Sequence, residues 1–93
     1  MSDRPNSRQV SAHVGRRLRR RRSDLGLSLE EVAMAAGMTS QQASRYESGA
    51  AVISAPRLRV LASMLGVSPA YFYRGLQPTM PLGQAGLSLN AGS

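Results

Sequence analysis

Glycine residues divide this chain into short segments, and that punctuation limits what it can fold into. Four segments each start at or near a serine or threonine and stop at a glycine: 11–26, 28–37, 39–49 and 54–66. Hydroxyl side chains cap the first amides of a helix, and glycine readily adopts the left-handed backbone that closes a helix. The sequence therefore predicts a series of short helices and no strand.

Apolar residues recur within these segments at helical spacing, which indicates one buried stripe per helix. The predicted stripes are Val14, Leu18 and Leu25 in the first helix, Leu29, Val32, Ala33 and Ala36 in the second, and Leu58, Leu61, Ala62 and Leu65 in the fourth. Capping boxes are predicted at Ser28 with Glu31 and at Thr39 with Gln42. Ser68 and Pro69 start a fifth short helix, so the predicted fold is all-α, a compact domain of five helices.

At 93 residues the chain holds one small domain. We predict a flexible N-terminal arm over residues 1–10, a folded domain over 11–76 and a flexible tail over 77–93, because the tail is dominated by Pro, Gly, Ser, Gln and Asn. The chain contains no cysteine, which excludes disulfides and thiolate metal sites. It has no apolar run that could span a membrane and no apolar leader, so we expect a cytoplasmic, nucleoid-associated protein without a membrane partner.

The third segment has an unusual distribution of side chains for a short helix. One face carries only small hydroxyls, an amide and a guanidinium: Ser40, Gln41, Ser44, Arg45 and Ser48. The other face holds Ala43, Tyr46 and Glu47. The polar face suits a helix in the major groove of DNA, where Gln pairs with adenine and Arg with guanine. Only two residues join this helix to the one before it, which is the spacing of a helix-turn-helix unit.

The formal net charge is +7, and all twelve basic residues are arginine. This balance favours a polyanionic partner, most simply double-stranded DNA. Six arginines fall between Arg16 and Arg22, where they encircle the helix, so only some of them can reach one duplex. The alternative is a solvated helix whose arginine stems cover apolar surface. The predicted phosphate contacts are Arg17, Arg19, Arg20, Ser28, Leu29, Thr39 and Ser48.

The stretch from Val14 to Leu76 resembles the Cro and phage-repressor type helix-turn-helix domain, known as the XRE family. The resemblance rests on the motifs Val14-Gly15-Arg16-Arg17-Leu18-Arg19, Gly26-Leu27-Ser28, Gly37-Met38-Thr39, Ser44-Arg45-Tyr46-Glu47-Ser48-Gly49 and Leu65-Gly66-Val67-Ser68. Gln41-Gln42 together with Tyr46-Glu47 and Gly49 is similar to the SinR-like regulators of alphaproteobacteria. The resemblance implies a lambda-repressor-like domain that binds operator DNA as a homodimer, with residues 40–48 as the recognition helix. It also implies a structural ion pair between Arg22 and Glu47.

The aromatic cluster near residue 72 exceeds what so small a core can bury. We therefore expect a two-fold dimer contact made by Ile53, Tyr73 and Leu76, and plain core packing is the alternative. His13 and the five acidic residues show no catalytic or metal-ligating spacing, so we expect neither an enzyme nor a cofactor or metal site.

The resulting hypothesis is a sequence-specific transcriptional regulator, a repressor by family analogy, that binds an inverted-repeat operator. Two alternatives remain at this stage. One is an antitoxin-like interaction module that neutralises a partner toxin and regulates its own gene. The other is sequence-independent binding of nucleic acid or an anionic membrane through the arginine-rich first helix.

Overall fold

The structure, a computed structural model, describes residues 6–76. This part of the chain forms four α-helices, α1 (Ser7–Asp24), α2 (Leu29–Ala36), α3 (Ser40–Ser48) and α4 (Ala55–Leu65), followed by a 3₁₀ helix (Pro69–Tyr73), and contains no strand. The all-α prediction is confirmed for these residues, but of the five predicted helices only four are α-helices. The fifth segment is only five residues long, a length at which the tighter 3₁₀ hydrogen bonding is common.

The first helix begins earlier than the sequence predicted. Asn6 caps it, because its side chain accepts from the Gln9 amide while the Asn6 amide donates to the Gln9 side chain, each at 2.8 Å. This reciprocal capping box stabilises the first turn, so residues 7–10 belong to α1 and not to the predicted arm. Residues 1–5 of that arm, and the predicted tail over 77–93, lie outside the described residues.

The core lies where the four α-helices and the 3₁₀ helix meet. Its centre is formed by side chains at most 2% exposed: Phe72, Leu18, Leu61 and Leu65. Phe72 comes from the 3₁₀ helix and is fully buried, so that short element closes the core. The prediction that Leu25 belongs to the buried stripe is wrong. Leu25 follows the last turn of α1 and is 43% exposed, and the last turns of α1 pack through arginines instead.

Apart from the start of α1, the predicted helix ends agree with the structure except at one cap. Ser28 and Glu31 form the reciprocal capping box of α2, with bonds of 2.7 and 3.0 Å. At Thr39 only half of the predicted box forms. The threonine hydroxyl accepts from the Gln42 amide at 3.1 Å, and the Gln42 side chain makes no return bond to Thr39.

Candidate nucleic-acid interface

The inner face of α3 rests directly on α1. Ala43 and Tyr46 are buried in the core. Gly15 lies in the middle of α1, and a Cβ atom there would lie 2.5 Å from the Glu47 carbonyl oxygen and collide with that of Tyr46. Glycine alone permits this distance, because any side chain would have to displace backbone atoms. The close approach of the two helices therefore fixes the distance between α1 and the C-terminal half of α3.

An ion pair fixes the angle between the same two helices. Arg22 donates from Nε and a terminal nitrogen to the two carboxylate oxygens of Glu47, at 2.6 and 3.0 Å. Its other terminal nitrogen donates to the Leu27 carbonyl at 2.9 Å. Both side chains are largely buried, at 16% and 10% exposure, and the bidentate geometry is the strong form of this interaction. The hydrogen bond to Glu47 raises the pKa of Arg22, so the guanidinium stays charged.

The turn before α3 is short and closed by its own hydrogen bonds. Gly37 has a left-handed φ of 73° and ends α2, and the Met38 amide donates to the Ala33 carbonyl at 2.9 Å. A glycine at this position avoids the steric strain that a residue with a side chain would have at positive φ. α2 and α3 are thus joined as a helix-turn-helix unit, as the two-residue spacing predicted.

The outer face of α3 has the opposite character. Gln41, Ser44, Arg45 and Ser48 are exposed, and Ser40 is half-buried. Within residues 6–76, the side chains of Gln41 and Ser44 make no hydrogen bond with the protein. Arg45 makes one long contact, 3.4 Å, to the Ala50 carbonyl. This surface therefore presents an amide, a guanidinium and hydroxyls that are free to bond with base edges or phosphates.

With this geometry established, three comparisons place the chain among known proteins. A helix-turn-helix domain family matches residues 13–71. A relative named as a transcriptional regulator in the ATPase CF(0) region of Rhodospirillum rubrum is 42% identical over 76 residues, covering 82% of this chain and 70% of the relative. This chain belongs to the XRE-type family of helix-turn-helix transcriptional regulators. Against four other curated regulators of the family, it spans only about half of the relative's length.

Solved structures show the same fold. The regulator is similar to the restriction-modification controller protein C.AhdI from Aeromonas hydrophila, with 30% identity, a TM-score of 0.63, and coverage of 66% of this chain and 92% of that one. It also shares its fold with part of hydroxypropylphosphonic acid epoxidase from S. wedmorenis, at 22% identity and a TM-score of 0.63 over 33% of that chain. Membership of the regulator family therefore rests on the sequence comparisons, because the fold alone also occurs in an enzyme.

The arginines of α1 in this regulator lie on two different sides of the helix. At about 100° per residue, Arg19 points about 40° from Gly15, on the side that faces α3, whereas Arg17 and Arg20 point about 140–160° away. Arg17 donates from Nε to the Tyr71 carbonyl at 3.0 Å and its guanidinium lies 3.9 Å from the centre of the Tyr71 ring. The head group of Arg17 is therefore held on the far side of α1, and Arg20 points the same way, so neither of these two predicted phosphate contacts borders the α3 surface.

The start of α2 offers fewer free donors than predicted. The Ser28 amide already donates to the Glu31 carboxylate at 2.7 Å, so it is not available to a phosphate there. The Leu29 amide lies in the first turn of the helix, where amides have no partner within the helix. Ser48 keeps its hydroxyl near the backbone, donating to the Arg45 carbonyl at 3.1 Å.

The residues predicted for a dimer contact only partly come together. Ile53 and Tyr73 line the same small apolar cavity of about 50 Å³, next to Val10 and Val14. Tyr73 is 45% exposed and Ile53 is half-buried. Leu76 is half-buried and bonds through its amide to the Tyr73 carbonyl at 3.0 Å, but it does not line the cavity.

Sequence reasoning missed two residues that build this site. Gly15 was noted only as part of a motif, although a glycine inside a helical pattern signals a close approach. Arg21 donates from Nε to the Leu65 carbonyl at 2.8 Å and so ties α1 to the end of α4. For the part of the chain that the structure describes, no group of three or more His, Cys, Asp or Glu side chains could hold a metal ion. No helix in this region is long and apolar enough to cross a membrane.

Proposed function

We propose that this regulator binds an inverted-repeat operator as a homodimer, reads its sequence with α3, and represses transcription by occluding the promoter. The observation that carries the proposal is the contrast between the two faces of α3. Its inner face is fixed by the Gly15 approach and the Arg22–Glu47 ion pair. Its outer face is exposed and holds polar side chains that the folded domain leaves largely unbonded.

Two residues of α3 are assigned to base reading. Gln41 matches the paired donor and acceptor of adenine, and Arg45 matches the two acceptors of guanine. Both are exposed, and Arg45 has to give up only one weak contact, to Ala50, in order to reach a base. Each such pair discriminates against a wrong base by about 1–3 kcal/mol. Ser40 and Ser44 lie beside them and would add hydroxyl contacts to bases or phosphates.

The phosphate contacts come from groups that border the outer face of α3. We assign them to Arg19 on the α3 side of α1, to the first-turn amide of Leu29, and to Thr39 and Ser48 at the two ends of α3. Contacts of this kind set the register of a protein on the duplex without reading sequence. They also make binding fall steeply as salt rises, because each neutralised phosphate releases counterions.

The dimer would place two copies of α3 in successive major grooves, about 34–36 Å apart. The contact is assigned to the surface around Ile53 and Tyr73, with Leu76 beside it. Support comes from the exposed Tyr73 ring at the mouth of an apolar cavity that a second copy could cover. A symmetric contact repeats one surface patch on both subunits, which suits a patch of this size.

The experiment that tests the proposal is selection of binding sites from random duplex DNA at near-physiological salt, read by sequencing. We expect an inverted repeat whose half-sites lie about ten base pairs apart. Arg45→Ala should then relax one base position in each half-site, while Arg59→Ala, at an exposed position on α4, should select the unchanged motif. No enriched motif, or the same motif for Arg45→Ala, would overturn the assignment of α3 as the reading helix.

A further inference from the structure

The positive charge of this domain lies largely away from its proposed reading surface. Arg45 is the single arginine on the outer face of α3. In contrast, six of the twelve arginines of the chain fall between Arg16 and Arg22 on α1, and the formal net charge of the whole chain is +7. One duplex against α3 can neutralise only the arginines that border α3. The remaining arginines form a second cationic surface that the proposed operator contact does not use.

This second surface has a defined position. Arg17 and Arg20 point about 140–160° away from Gly15, and Gly15 is where α1 meets α3. The next element on that side is the 3₁₀ helix, since the His13 ring nitrogen Nε2 bonds with the Arg74 carbonyl at 2.8 Å. We call this surface the back face, and it consists of Arg16, Arg17, Arg20 and Arg74.

The back face is organised around one aromatic ring. The guanidinium of Arg17 stacks on Tyr71 at 3.9 Å, and that of Arg74 lies 5.9 Å from the centre of the same ring. Arg17 is further held by its bond from Nε to the Tyr71 carbonyl. A guanidinium bonded through Nε keeps its terminal nitrogens as donors, and its fork is already oriented for an oxyanion. Arg16, Arg20 and Arg74 are exposed around it.

Among the described residues, no carboxylate forms an ion pair with the arginines of the back face. Across residues 6–76 the only ion pair within 4.0 Å joins Arg22 to Glu47. Glu31 caps α2, and Glu30 lies beside it in the first turn of α2. Asp24 ends α1, one turn beyond Arg20, and is the only acid on the same side of that helix. The back face therefore keeps its positive charge for a partner.

We propose that the back face binds the phosphate backbone of a second DNA duplex, so that one molecule can hold two duplexes at once. Contact with duplex phosphates requires only exposed cations at helical spacing. A helix that lies in a membrane surface would in addition bury an apolar face. Here the apolar residues of α1, Val14 and Leu18, are buried, the Tyr71 ring is covered by Arg17, and Tyr73 lines the cavity beside Val10.

The proposal goes beyond the operator contact and does not require α3 to read sequence. A co-capture assay tests it with two mixed-sequence duplexes of 30 base pairs as probes. One duplex is held on beads, the other carries a fluorophore, and the full chain is added. We expect the labelled duplex to be captured. The double variant Arg20→Gln/Arg74→Gln should reduce capture about tenfold or more, because two phosphate contacts are lost.

A matched control removes two charges elsewhere. Arg57→Gln/Arg59→Gln on α4 should leave capture within about twofold of the unchanged chain, if position and not total charge matters. Among the described residues neither pair of side chains makes a hydrogen bond or an ion pair, and Arg74 makes only a distant contact, 5.9 Å, with the Tyr71 ring, so both variants should fold. Equal losses in the two variants would overturn the proposal in favour of general charge attraction.

A variant without the reading residues distinguishes failure of this proposal from failure of the proposed function. Gln41→Ala/Arg45→Ala removes the reading residues, and we expect this variant still to bind mixed-sequence duplex, with that binding weakened further when Arg20→Gln/Arg74→Gln is added. No further loss would show that the back face binds no duplex. If co-capture instead depended only on Gln41 and Arg45, the two duplexes would be held by two reading helices of a dimer, and the proposal would be wrong. It would also be wrong if Arg20→Gln/Arg74→Gln weakened binding to poly-glutamate or phosphatidylserine vesicles but left co-capture unchanged.

Discussion

The two faces of α3 differ in how completely the rest of the domain determines them. On the inner face, backbone contact with Gly15 and the Arg22–Glu47 ion pair set both distance and angle. On the outer face, Gln41 and Ser44 are exposed and bond to nothing within residues 6–76. Position is thus fixed by one set of residues, and the chemistry offered to a partner is set by another.

Because of this separation, the side chains on the outer face of α3 can vary while its backbone stays in place. Substitutions on the outer face change what the helix can bond to without moving its backbone. Substitutions on the inner face move the helix and disturb every contact it makes. Preorganised groups on a rigid element bind with less loss of conformational freedom than groups on a loop.

Gly15→Ala should have the largest effect. The added Cβ would lie 2.5 Å from the Glu47 carbonyl oxygen, and backbone atoms of two packed helices cannot move aside freely. We expect the free energy of unfolding to fall by about 2–3 kcal/mol, as in other overpacked sites, measured by urea denaturation. Gly26→Ala is the control, because nothing lies within 4 Å of its Cβ and only the positive φ costs about 1 kcal/mol. Equal losses at the two glycines would contradict the close-approach argument.

Glu47→Gln should have the next largest effect. It leaves the largely buried guanidinium of Arg22 with a neutral partner, and we expect a loss of about 2 kcal/mol in the free energy of unfolding. Glu30→Gln, at an exposed position on α2, should change it by less than about 0.5 kcal/mol. A loss at Glu47 no larger than at Glu30 would mean that the ion pair does not position α3.

The ion pair also has a pH signature. Because Glu47 raises the pKa of Arg22, the contribution from Arg22 is fully present below its ordinary pKa. It is lost only as pH rises through the still higher folded value. Denaturation at pH 7 and pH 9 should therefore give the same difference in unfolding free energy between Glu47→Gln and the unchanged chain. A difference that shrank by pH 9 would contradict this expectation.

Arg45→Ala should separate binding from stability. We expect its affinity for the selected operator to fall by about 1–3 kcal/mol, measured by fluorescence anisotropy. Thermal unfolding should stay close to that of the unchanged chain, because Arg45 is exposed and makes only one long bond. A large loss of thermal stability would show that the outer face also supports the fold.

Ser44→Ala should have the smallest effect. Its hydroxyl bonds to nothing within the described residues, and alanine has the higher helix propensity. We expect the free energy of unfolding to change by less than about 0.5 kcal/mol and operator affinity to fall less than for Arg45→Ala. Affinity loss equal to that of Arg45→Ala would assign Ser44 a direct role in base reading.

Much of the architecture could be predicted from short-range signals. Glycine after each of α2, α3 and α4, with a serine or threonine before each, marks ends that local backbone preference decides. The same reasoning missed the start of α1, because Asn6 and Gln9 carry a capping box in a polar stretch without an apolar stripe. It also predicted the 3₁₀ segment simply as a fifth helix of the all-α fold, because the sequence pattern of a short 3₁₀ helix hardly differs from that of a single α-helical turn.

The contacts of the α1 arginines could not be predicted from the sequence. A helical projection shows that Arg17 and Arg19 lie on different sides of α1, but it does not reveal which side faces α3. That depends on Gly15 meeting residues 31 and 32 positions later in the chain. Long side chains add a second uncertainty, because Arg17 and Arg21 reach backbone carbonyls 54 and 44 residues away. Such pairs depend on the completed tertiary structure, and no local pattern encodes them.

The hydrogen bonds from α1 to the end of the domain can form only late in synthesis of the chain. α1 is synthesised before its partners at Leu65, Tyr71 and Arg74, which lie 44 to 61 residues later in the chain. Until the 3₁₀ helix is made, Phe72 is missing from the core and Arg17 of α1 lacks its carbonyl acceptor at Tyr71. A nascent chain released before residue 72 would therefore expose Leu18 and Leu61. The last short helix therefore supplies a core side chain and a hydrogen-bond acceptor that α1 lacks until the end of the domain is made.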